Sequence, residues 1–213
     1  MIQLQEKLIT NTWIEADWQT YLSNIDLPEH EKHRGYYYNG YMRIEDMPTG
    51  ADHSRYQSII LFAINLYCII KGIAFNGLDN CSYRKIGVRE CQPDLSYYTK
   101  DNSKSAPIGT SVVNLDEQSP PDLVIEISNT TLSDDLGNKR LLYEELGIAE
   151  YWVVDVRNNE IIAFEISNRG SRRIETSIVL PELSIDTIIT ALNLSKEQDQ
   201  SQIGKWLMSE FQT

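Results

Sequence analysis

The pattern of hydrophobic and polar positions is clearest around residues 119–155. Residues 123–127 form an apolar run rich in branched side chains, which predicts a buried strand. Period-two alternation puts Glu126 and Val124 on one face of this strand and the other apolar side chains on the opposite face. An ionised Glu is rarely buried without a partner. Glu126 therefore requires a cation, which is a metal ion, a Lys or an Arg.

A segment with helical periodicity follows this strand. Ser133 and the acids after it are typical of a helix start, and Gly147 is typical of a helix end. Tyr151–Val154 then forms a second apolar run. A strand, a crossover helix and a strand predict a βαβ unit with parallel strands.

Three residues spaced by four share one face of this crossover helix, namely Asp135, Lys139 and Tyr143. Because the helix begins just past the end of the Glu126 strand, Lys139 can lean back toward Glu126. The alternative interpretation is a solvated helix face that includes Asp135, Lys139 and Glu144. We interpret Tyr143 as a packing residue.

Turn and capping signals divide the remainder of the chain. Asn39-Gly40 between aromatic flanks predicts an antiparallel hairpin over residues 35–45. The other predicted helices run from a capping box at Thr12–Glu15 through Leu22, from Asp52 or Ser54 to about Lys71, and over Asp186–Leu194 and Lys196–Phe211. The other predicted strands are two short ones at Ile73–Phe75 and Cys81–Arg84, one over Cys91–Tyr98, one at Ile161–Ile166 and one that ends near Leu180. A charged linker at Pro28–His33 and a long polar loop over Lys100–Gln118 connect them.

Apolar stripes on the two terminal helices predict an interface. Trp13 and Trp18 lie on the first, and Trp206 and Phe211 lie on the last. Together they expose more apolar area than a lone domain tolerates, so we expect a homodimer.

Composition indicates a globular protein in a reducing compartment. The three cysteines are odd in number and show no paired spacing, which favours free thiols. The first 13 residues contain no apolar signal region, and residues 59–70 are too short to span a bilayer. We expect a cytoplasmic location without membrane association.

The net charge of -12 argues against a surface that coats nucleic acid, since phosphate neutralisation requires Lys and Arg. A local cationic groove is still compatible with this charge. His30 and His33 lack a further ligand-like neighbour, so a surface loop is the better interpretation there than a metal site.

A resemblance to a known family rests on a long block and several shorter matches. The matching residues are Pro93-Asp94, the stretch 121–128, Asp135, Lys139, Tyr143, Gly147 and the stretch 150–155. They resemble the Uma2 family of endonucleases, over roughly residues 35–183. The resemblance implies an α/β restriction-endonuclease-like PD-(D/E)XK fold, a mixed sheet flanked by helices. Residues 1–34 would be an N-terminal helical extension and residues 184–213 a C-terminal helical segment.

The same resemblance implies a site. Asp94 and Glu126, on neighbouring strands, would hold Mg²⁺ or Mn²⁺, and Lys139 would orient or deprotonate a water or stabilise charge on the phosphate. The usual pattern of this fold has a Lys two residues after the acid, where this chain has Ser128. The resemblance suggests that Lys139 on the helix takes that role.

Auxiliary residues are less defined. Many Uma2 relatives carry a Glu near the start of the hairpin, where this chain has Tyr36 or Tyr37, and Glu45 is a substitute. The family often has a His at the position of His53, which then faces the site, although a capping or core histidine is an equal alternative. Asp122 is an alternative acid that could simply cap a turn.

Two functions follow from these residues. The first is a Mg²⁺-dependent endonuclease that hydrolyses phosphodiester bonds in DNA, which Asp94, Glu126 and Lys139 favour. The second is a binding or interaction module that retains the fold without the activity, which the acidic composition and the missing hairpin Glu favour.

Overall fold

The computed structural model describes residues 10–30, 32–47 and 50–212. The first 13 residues, for which the sequence predicts no signal region, lie largely outside this range. Part of the predicted linker at residues 28–33 also lies outside it. Within the described part of the chain, no helix is both long and apolar enough to cross a membrane.

The described residues form two six-stranded sheets and the helices around them. The strands are β1 (Ile14–Glu15), β2 (His33–Tyr38), β3 (Tyr41–Asp46), β4 (Phe75–Asp79), β5 (Tyr83–Lys85), β6 (Arg89–Cys91), β7 (Leu95–Thr99), β8 (Val113–Asn114), β9 (Leu123–Ser128), β10 (Glu150–Asp155), β11 (Glu160–Ser167) and β12 (Gly170–Ile174). The helices are α1 (Trp18–Ile25), α2 (Ala51–Lys71), α3 (Leu132–Asp134), α4 (Arg140–Leu146), α5 (Ile185–Leu194) and α6 (Gln200–Gln212), with 3-10 turns at Pro28–His30 and Lys100–Ser105 and a π-helical turn at Asp135–Lys139.

The two sheets form adjacent layers. The first sheet has the order β12-β11-β10-β9-β7-β4, and the second has the order β1-β3-β2-β6-β5-β8. One apolar core lies between the sheets, and a larger one lies between the first sheet and helices α2, α5 and α6. The sequence predicted one mixed sheet flanked by helices, and the second sheet was not foreseen.

The predicted βαβ unit is confirmed. β9 and β10 are parallel, and Glu126 pairs with Val153. The predicted alternation also holds, because Ile125 and Ile127 face the core under the helices while Val124 faces the core between the sheets. The predicted hairpin is confirmed too, with Asn39 at φ 51° and Gly40 at φ 79°, both of which a two-residue hairpin turn requires.

The crossover between β9 and β10 differs from the single helix that the sequence predicted. Gly137 has φ −105° and ψ −108°, which are not helical, and it breaks the segment inside the π-helical turn. Glycine tolerates such a backbone because it has no Cβ. Gly147 ends α4 with φ 75°, as predicted.

The predicted N-terminal capping box at Thr12–Glu15 is wrong. Ile14 pairs with Met42 in strand β1, and the helix begins only at Trp18. The N-cap is Asp17, whose carboxylate accepts a hydrogen bond from the backbone N–H of Thr20 at 2.7 Å.

The predicted single strand over Cys91–Tyr98 is also wrong. β6 ends at Cys91 in one sheet, and β7 begins at Leu95 in the other. Pro93 lies between them, and a proline cannot donate to a strand ladder. Asp94 is therefore placed at the passage between the two sheets, directly before β7.

The apolar stripe of the C-terminal helix is buried against other parts of the same chain. Ile203, Leu207 and Phe211 are buried, and the Phe211 ring packs edge-on to Tyr67 with centroids 5.0 Å apart. Trp18 packs likewise on Tyr37, at 5.1 Å. The apolar surfaces that motivated the homodimer are thus partly covered, and the homodimer and the domain boundaries stay predictions.

Candidate active site

A pocket of about 270 Å³ lies where β2, β3, β7, β9 and the start of α2 meet. The three residues that the sequence singled out, Asp94, Glu126 and Lys139, all line it. Glu45 and His53, the two predicted auxiliary residues on β3 and α2, line it as well. The fold therefore brings together residues from five separate parts of the chain.

Glu126 is buried, and its contacts concentrate on one oxygen. Oε1 accepts hydrogen bonds from the hydroxyls of Tyr143 at 2.6 Å and Tyr36 at 3.1 Å, and Nζ of Lys139 lies 3.7 Å from it. No hydrogen bond from the described residues reaches Oε2. Burial raises the pKa of Glu126 to about 8, against the opposing effect of Lys139. This carboxyl group therefore holds its proton more tightly than a free Glu does.

Lys139 is held by acids from three elements. Its Nζ lies 3.0 Å from Oδ1 of Asp135 and 3.1 Å from Oε2 of Glu45, and it sits 4.1 Å from the centre of the Tyr36 ring. Burial alone would lower the pKa of Lys139, but Asp135, Glu126 and Glu45 outweigh it and raise that pKa well above its usual value. Lys139 keeps its proton, so the arrangement does not support the role of a base for it.

Asp94 is engaged by a backbone donor and two side chains. Its Oδ2 accepts a hydrogen bond from the backbone N–H of Ile127 at 2.6 Å. Near its Oδ1 lie Nη1 of Arg34 at 2.6 Å and Nε2 of His53 at 3.2 Å, yet Oδ1 has no aligned hydrogen bond from the described residues. Burial raises the pKa of Asp94, but the contacts of His53 and Arg34 outweigh it, so that the pKa is lowered and the carboxylate stays ionised.

Glu45 connects the hairpin to the Lys139 ammonium. Its second oxygen accepts a hydrogen bond from Nε of Arg43 at 2.6 Å. Burial raises the pKa of Glu45, but Lys139 and Arg43 outweigh it, and the net pKa is lowered. The sequence analysis gave Glu45 as a substitute for a hairpin Glu. In the structure, Glu45 belongs to the ion-pair network of Lys139 and Arg43.

Asp122, the alternative acid, lies at the other end of β9 and outside the pocket. Its Oδ2 accepts a hydrogen bond from the backbone N–H of Thr99 at 2.6 Å, and its Oδ1 accepts one from Asn102 at 3.1 Å. These contacts fix the turn after β7. The capping role that the sequence left open for Asp122 is the one that the structure has.

The sequence analysis missed contacts of three side chains near Glu126 and Asp94. Tyr143 packs in the core between the sheets, as predicted, and its hydroxyl also donates a hydrogen bond to Glu126, which was not predicted. The contacts of Tyr36 and Arg34 were not predicted either. Alternation along β2 carried a signal, since it places Arg34 on the same face as Tyr36. The interpretation of Asp135 and Lys139 as a solvated helix face is wrong, since each is 1% exposed.

The donor set can be compared with what a divalent cation needs. Buried acids around the pocket outnumber the buried permanent cations by one. The acids are Glu45, Asp94, Glu126 and Asp135, and the cations are Arg34, Arg43 and Lys139. Oδ1 of Asp94 and Oε2 of Glu126 are carboxylate oxygens without a hydrogen bond from the described residues. A hard divalent cation prefers such oxygens, so these residues fit Mg²⁺ or Mn²⁺ in donor type, and an ion at Oδ1 of Asp94 would replace the contact of that oxygen with Arg34.

The protein alone supplies few ligands. No cluster of three or more His, Cys, Asp or Glu side chains in the described ranges is arranged to hold a metal ion. Mg²⁺ commonly takes one or two carboxylates and completes its shell with waters and substrate phosphate oxygens. An ion here would depend on those additional ligands.

Comparison with known proteins identifies the family. A sequence profile of Uma2, described as a putative restriction endonuclease, matches residues 18–195. The chain belongs to the Uma2 family. A solved structure from Anabaena variabilis, described as a putative nuclease belonging to DUF820, is similar over 83% of this Uma2 chain and 98% of its own, with 19% identity and a TM-score of 0.59. No curated protein matches.

The structural likeness establishes the fold of this Uma2 chain and not its activity. The predicted α/β restriction-endonuclease-like fold is confirmed. The family match covers β2, β7, β9 and the crossover. It therefore includes the pocket-lining residues numbered 34 to 139.

Proposed function

We propose that this chain is a divalent-metal-dependent endonuclease that hydrolyses phosphodiester bonds at the pocket between the two sheets. The proposal rests on one observation. Asp94, Glu126 and Lys139 line one pocket of a chain whose family is described as a putative restriction endonuclease. These are the residue types that phosphodiester hydrolysis with Mg²⁺ uses: carboxylates for the ion and a cation for the phosphate charge.

Each residue has a stated role in this proposal. Oδ1 of Asp94 and Oε2 of Glu126 would hold Mg²⁺ or Mn²⁺, since neither accepts a hydrogen bond from the described residues. The ion would supply a water of lowered pKa and polarise the phosphoryl oxygens. Tyr36 and Tyr143 fix Oε1 of Glu126 and so orient the other oxygen.

Lys139 acts as a fixed positive charge. Its ammonium lies 3.7 Å from Oε1 of Glu126, which favours the ionised carboxylate. Because Lys139 stays protonated, it stabilises negative charge at the pocket and does not remove a proton from water. His53, whose Nε2 lies 3.2 Å from Oδ1 of Asp94, is the proposed auxiliary residue.

DNA is the proposed substrate. The net charge of -12 means that long-range attraction to a polyanion does not help, so binding must rely on the cations in and near the pocket. We expect weak binding with a shallow salt dependence, because few cations displace counterions from the phosphates, and Mg²⁺ would reduce the repulsion at the site.

A cleavage assay tests the activity. Plasmid and single-stranded oligonucleotide are incubated with Mg²⁺, Mn²⁺ or EDTA and with wild type, Asp94→Asn or Glu126→Gln. We expect cleavage by wild type with metal, at least 100-fold less with either variant, and none with EDTA. Asp101→Asn is the matched control, since Asp101 is fully exposed on the 3-10 turn and pairs with the exposed Lys104. Metal-independent cleavage, or cleavage that both variants retain, contradicts the proposal.

The second candidate, an inactive nuclease fold that serves as a binding module, is favoured by one observation. Asp94 already contacts Arg34 and His53, and Lys139 already has three acids. Such buried pairs can be purely structural. Titration calorimetry with Mn²⁺ in the presence of a cleavage-resistant oligonucleotide separates the two functions, because wild type that binds no Mn²⁺ even with substrate phosphates present favours the binding module.

A further inference from the structure

A second cleft continues from the pocket along the start of α2. It has a volume of about 430 Å³, and Arg34, Met47 and His53 line both spaces. The other residues that line the second cleft are Ser54, Gln57, Ser58, Leu61, Asp79 and Asn80. A groove therefore runs from Glu126 past Arg34 to an uncharged polar wall on α2. We call the second space the α2 cleft.

Arg34 lies at the junction and has an unused donor. Its Nη1 lies 2.6 Å from Asp94, and its Nη2 donates to the side chain of Asn80. Its Nε is buried without a hydrogen-bond partner among the described residues, although Arg34 as a whole is only 3% exposed. A buried N–H without an acceptor is unfavourable, and a ligand oxygen would relieve it.

Arg34 is better suited than Lys139 to bind an incoming anion. Among the lining residues that the structure describes, these two are the permanent cations of the pocket. Three carboxylates surround the ammonium of Lys139. The planar guanidinium of Arg34 matches the geometry of phosphate oxygens, and it has a donor left over.

The α2 cleft has the chemistry of a nucleoside site. Ser54, Gln57 and Ser58 offer hydroxyl and amide groups, and Leu61 offers apolar surface. Asp79 at the far wall would repel a second phosphate. Its Oδ1 already accepts hydrogen bonds from the side-chain amides of Gln57 and Asn80, so Oδ2 is the oxygen that can accept one from a sugar hydroxyl or a base amino group. The volume lies within the range of small-molecule sites.

We propose that Arg34 binds a phosphate of the substrate and that the α2 cleft binds the nucleoside attached to that phosphate. This proposal rests on the proposed function, because it names the part of a nucleic acid that lies beside the pocket. It makes Arg34 a substrate-binding residue, and it makes the α2 cleft a determinant of which nucleotide flanks the cleaved bond.

Binding without catalysis tests the proposal. The probes are thymidine 5′-monophosphate, thymidine and inorganic phosphate, titrated calorimetrically into the full chain in EDTA. We expect the monophosphate to bind at least tenfold more tightly than either part alone. Ser54→Trp fills the α2 cleft from an exposed position on α2 and should weaken monophosphate binding at least tenfold while leaving phosphate binding unchanged. Ser209→Trp, at an exposed position on α6, is the matched control and should bind as wild type does.

Arg34→Gln should abolish binding of both the monophosphate and phosphate. Where that variant does not fold, since it leaves Asp94 without its guanidinium, Ser54→Trp decides alone. A monophosphate that binds no more tightly than phosphate, or a Ser54→Trp variant that binds it normally, overturns the proposal.

Further experiments separate the failure of this proposal from the failure of the proposed function. They also show whether the α2 cleft binds a free nucleotide or a nucleotide within a nucleic acid. Monophosphate binding that Ser54→Trp weakens, in a chain that cuts no DNA, supports the α2 cleft and contradicts the nuclease. DNA cleavage whose KM is unaffected by Ser54→Trp supports the nuclease and overturns the cleft. A fluorescent 12-nucleotide single strand that competes with the monophosphate indicates that the cleft takes a nucleotide within a chain. Failure to compete restricts the cleft to free nucleotides and overturns its role in the cleavage site.

Discussion

The ion pair between Lys139 and Asp135 spans the break in the crossover segment, with Nζ 3.0 Å from Oδ1. Gly137, between them, has non-helical φ and ψ. Both charged side chains are nevertheless directed inward and buried. The crossover turns the face that carries these two opposite charges toward the interior, and Lys139 lines the pocket there.

Lys139→Met should destabilise the protein by about 3–5 kcal/mol, because it leaves Asp135 buried without its cation and leaves Glu45 with Arg43 alone. Urea unfolding at pH 7 measures this free energy. The matched control is Lys104→Met, whose ammonium is 83% exposed and 3.7 Å from Asp101, and which should change stability by less than about 1 kcal/mol. Equal effects of the two substitutions would contradict a structural role for the buried ammonium.

Glu126→Gln should change how stability depends on pH. Burial raises the pKa of Glu126 to about 8 in the folded chain, from an ordinary value of 4.5, so the folded state binds this proton more tightly. The wild type has the full stabilisation below about pH 4.5 and loses it as pH rises through 8. Gln resembles the protonated form and does not titrate. The variant should therefore gain stability relative to wild type over this window, by at most about 1.4 kcal/mol per pH unit.

Urea midpoints from pH 4.5 to 8.5 measure this difference. Glu160→Gln is the control, since the Glu160 side chain is 52% exposed and should show no comparable slope. A flat difference between wild type and Glu126→Gln would mean that Glu126 is ionised in the folded chain at neutral pH.

Tyr143→Phe should weaken Mn²⁺ binding at pH 7. The Tyr143 hydroxyl donates to Glu126 at 2.6 Å and favours its ionised form, so its removal raises the pKa of Glu126 further and makes the ion compete with a proton. The lost hydrogen bond also costs about 1–3 kcal/mol of stability. Calorimetric titration measures the affinity for Mn²⁺. Tyr98→Phe is the control, because the Tyr98 hydroxyl donates to the Ser119 carbonyl away from the pocket. An equal loss of affinity in both variants would contradict this role.

Local patterns were sufficient for the central unit of the fold. The branched run around Glu126 predicted a buried strand, and the Asn39-Gly40 turn predicted the hairpin, since both signals depend on neighbouring residues alone. The need of Glu126 for a cation also followed from the cost of burying a charge, and Lys139 provides it. These are effects that a single segment of sequence carries.

The parts that failed depend on contacts between distant segments. Tyr36 donates to Glu126 across 90 positions, and Arg34 meets Asp94 across the gap between the two sheets. No periodicity within β2 encodes those partners. The passage of the chain from one sheet to the other at Pro93 was likewise invisible, because Cys91–Tyr98 carries continuous strand-forming character apart from that proline.

Gly35→Ala should destabilise the protein by about 1–3 kcal/mol through overpacking. A Cβ at this position would collide with the hydroxyl of the buried Tyr21 and lie 2.7 Å from Cγ1 of Ile25, both on α1. Helix α1 would have to move away from β2, and the neighbouring Arg34 would shift with the strand. Because Arg34 lies 2.6 Å from Asp94, we also expect Mn²⁺ affinity to change.

Gly50→Ala is the matched control for this last substitution. Gly50 precedes α2 with φ −74°, and nothing lies within 4 Å of an added Cβ, so the same chemical change meets open space. Urea unfolding measures stability, and near-ultraviolet circular dichroism reports the packing of Trp18 on Tyr37. Gly35→Ala should lower the unfolding midpoint and reduce the aromatic signal, while Gly50→Ala should leave both close to wild type. If Gly35→Ala matches Gly50→Ala in both measurements, α1 does not pack closely on β2, and the position of Arg34 must be set by β3 and Asp94 instead.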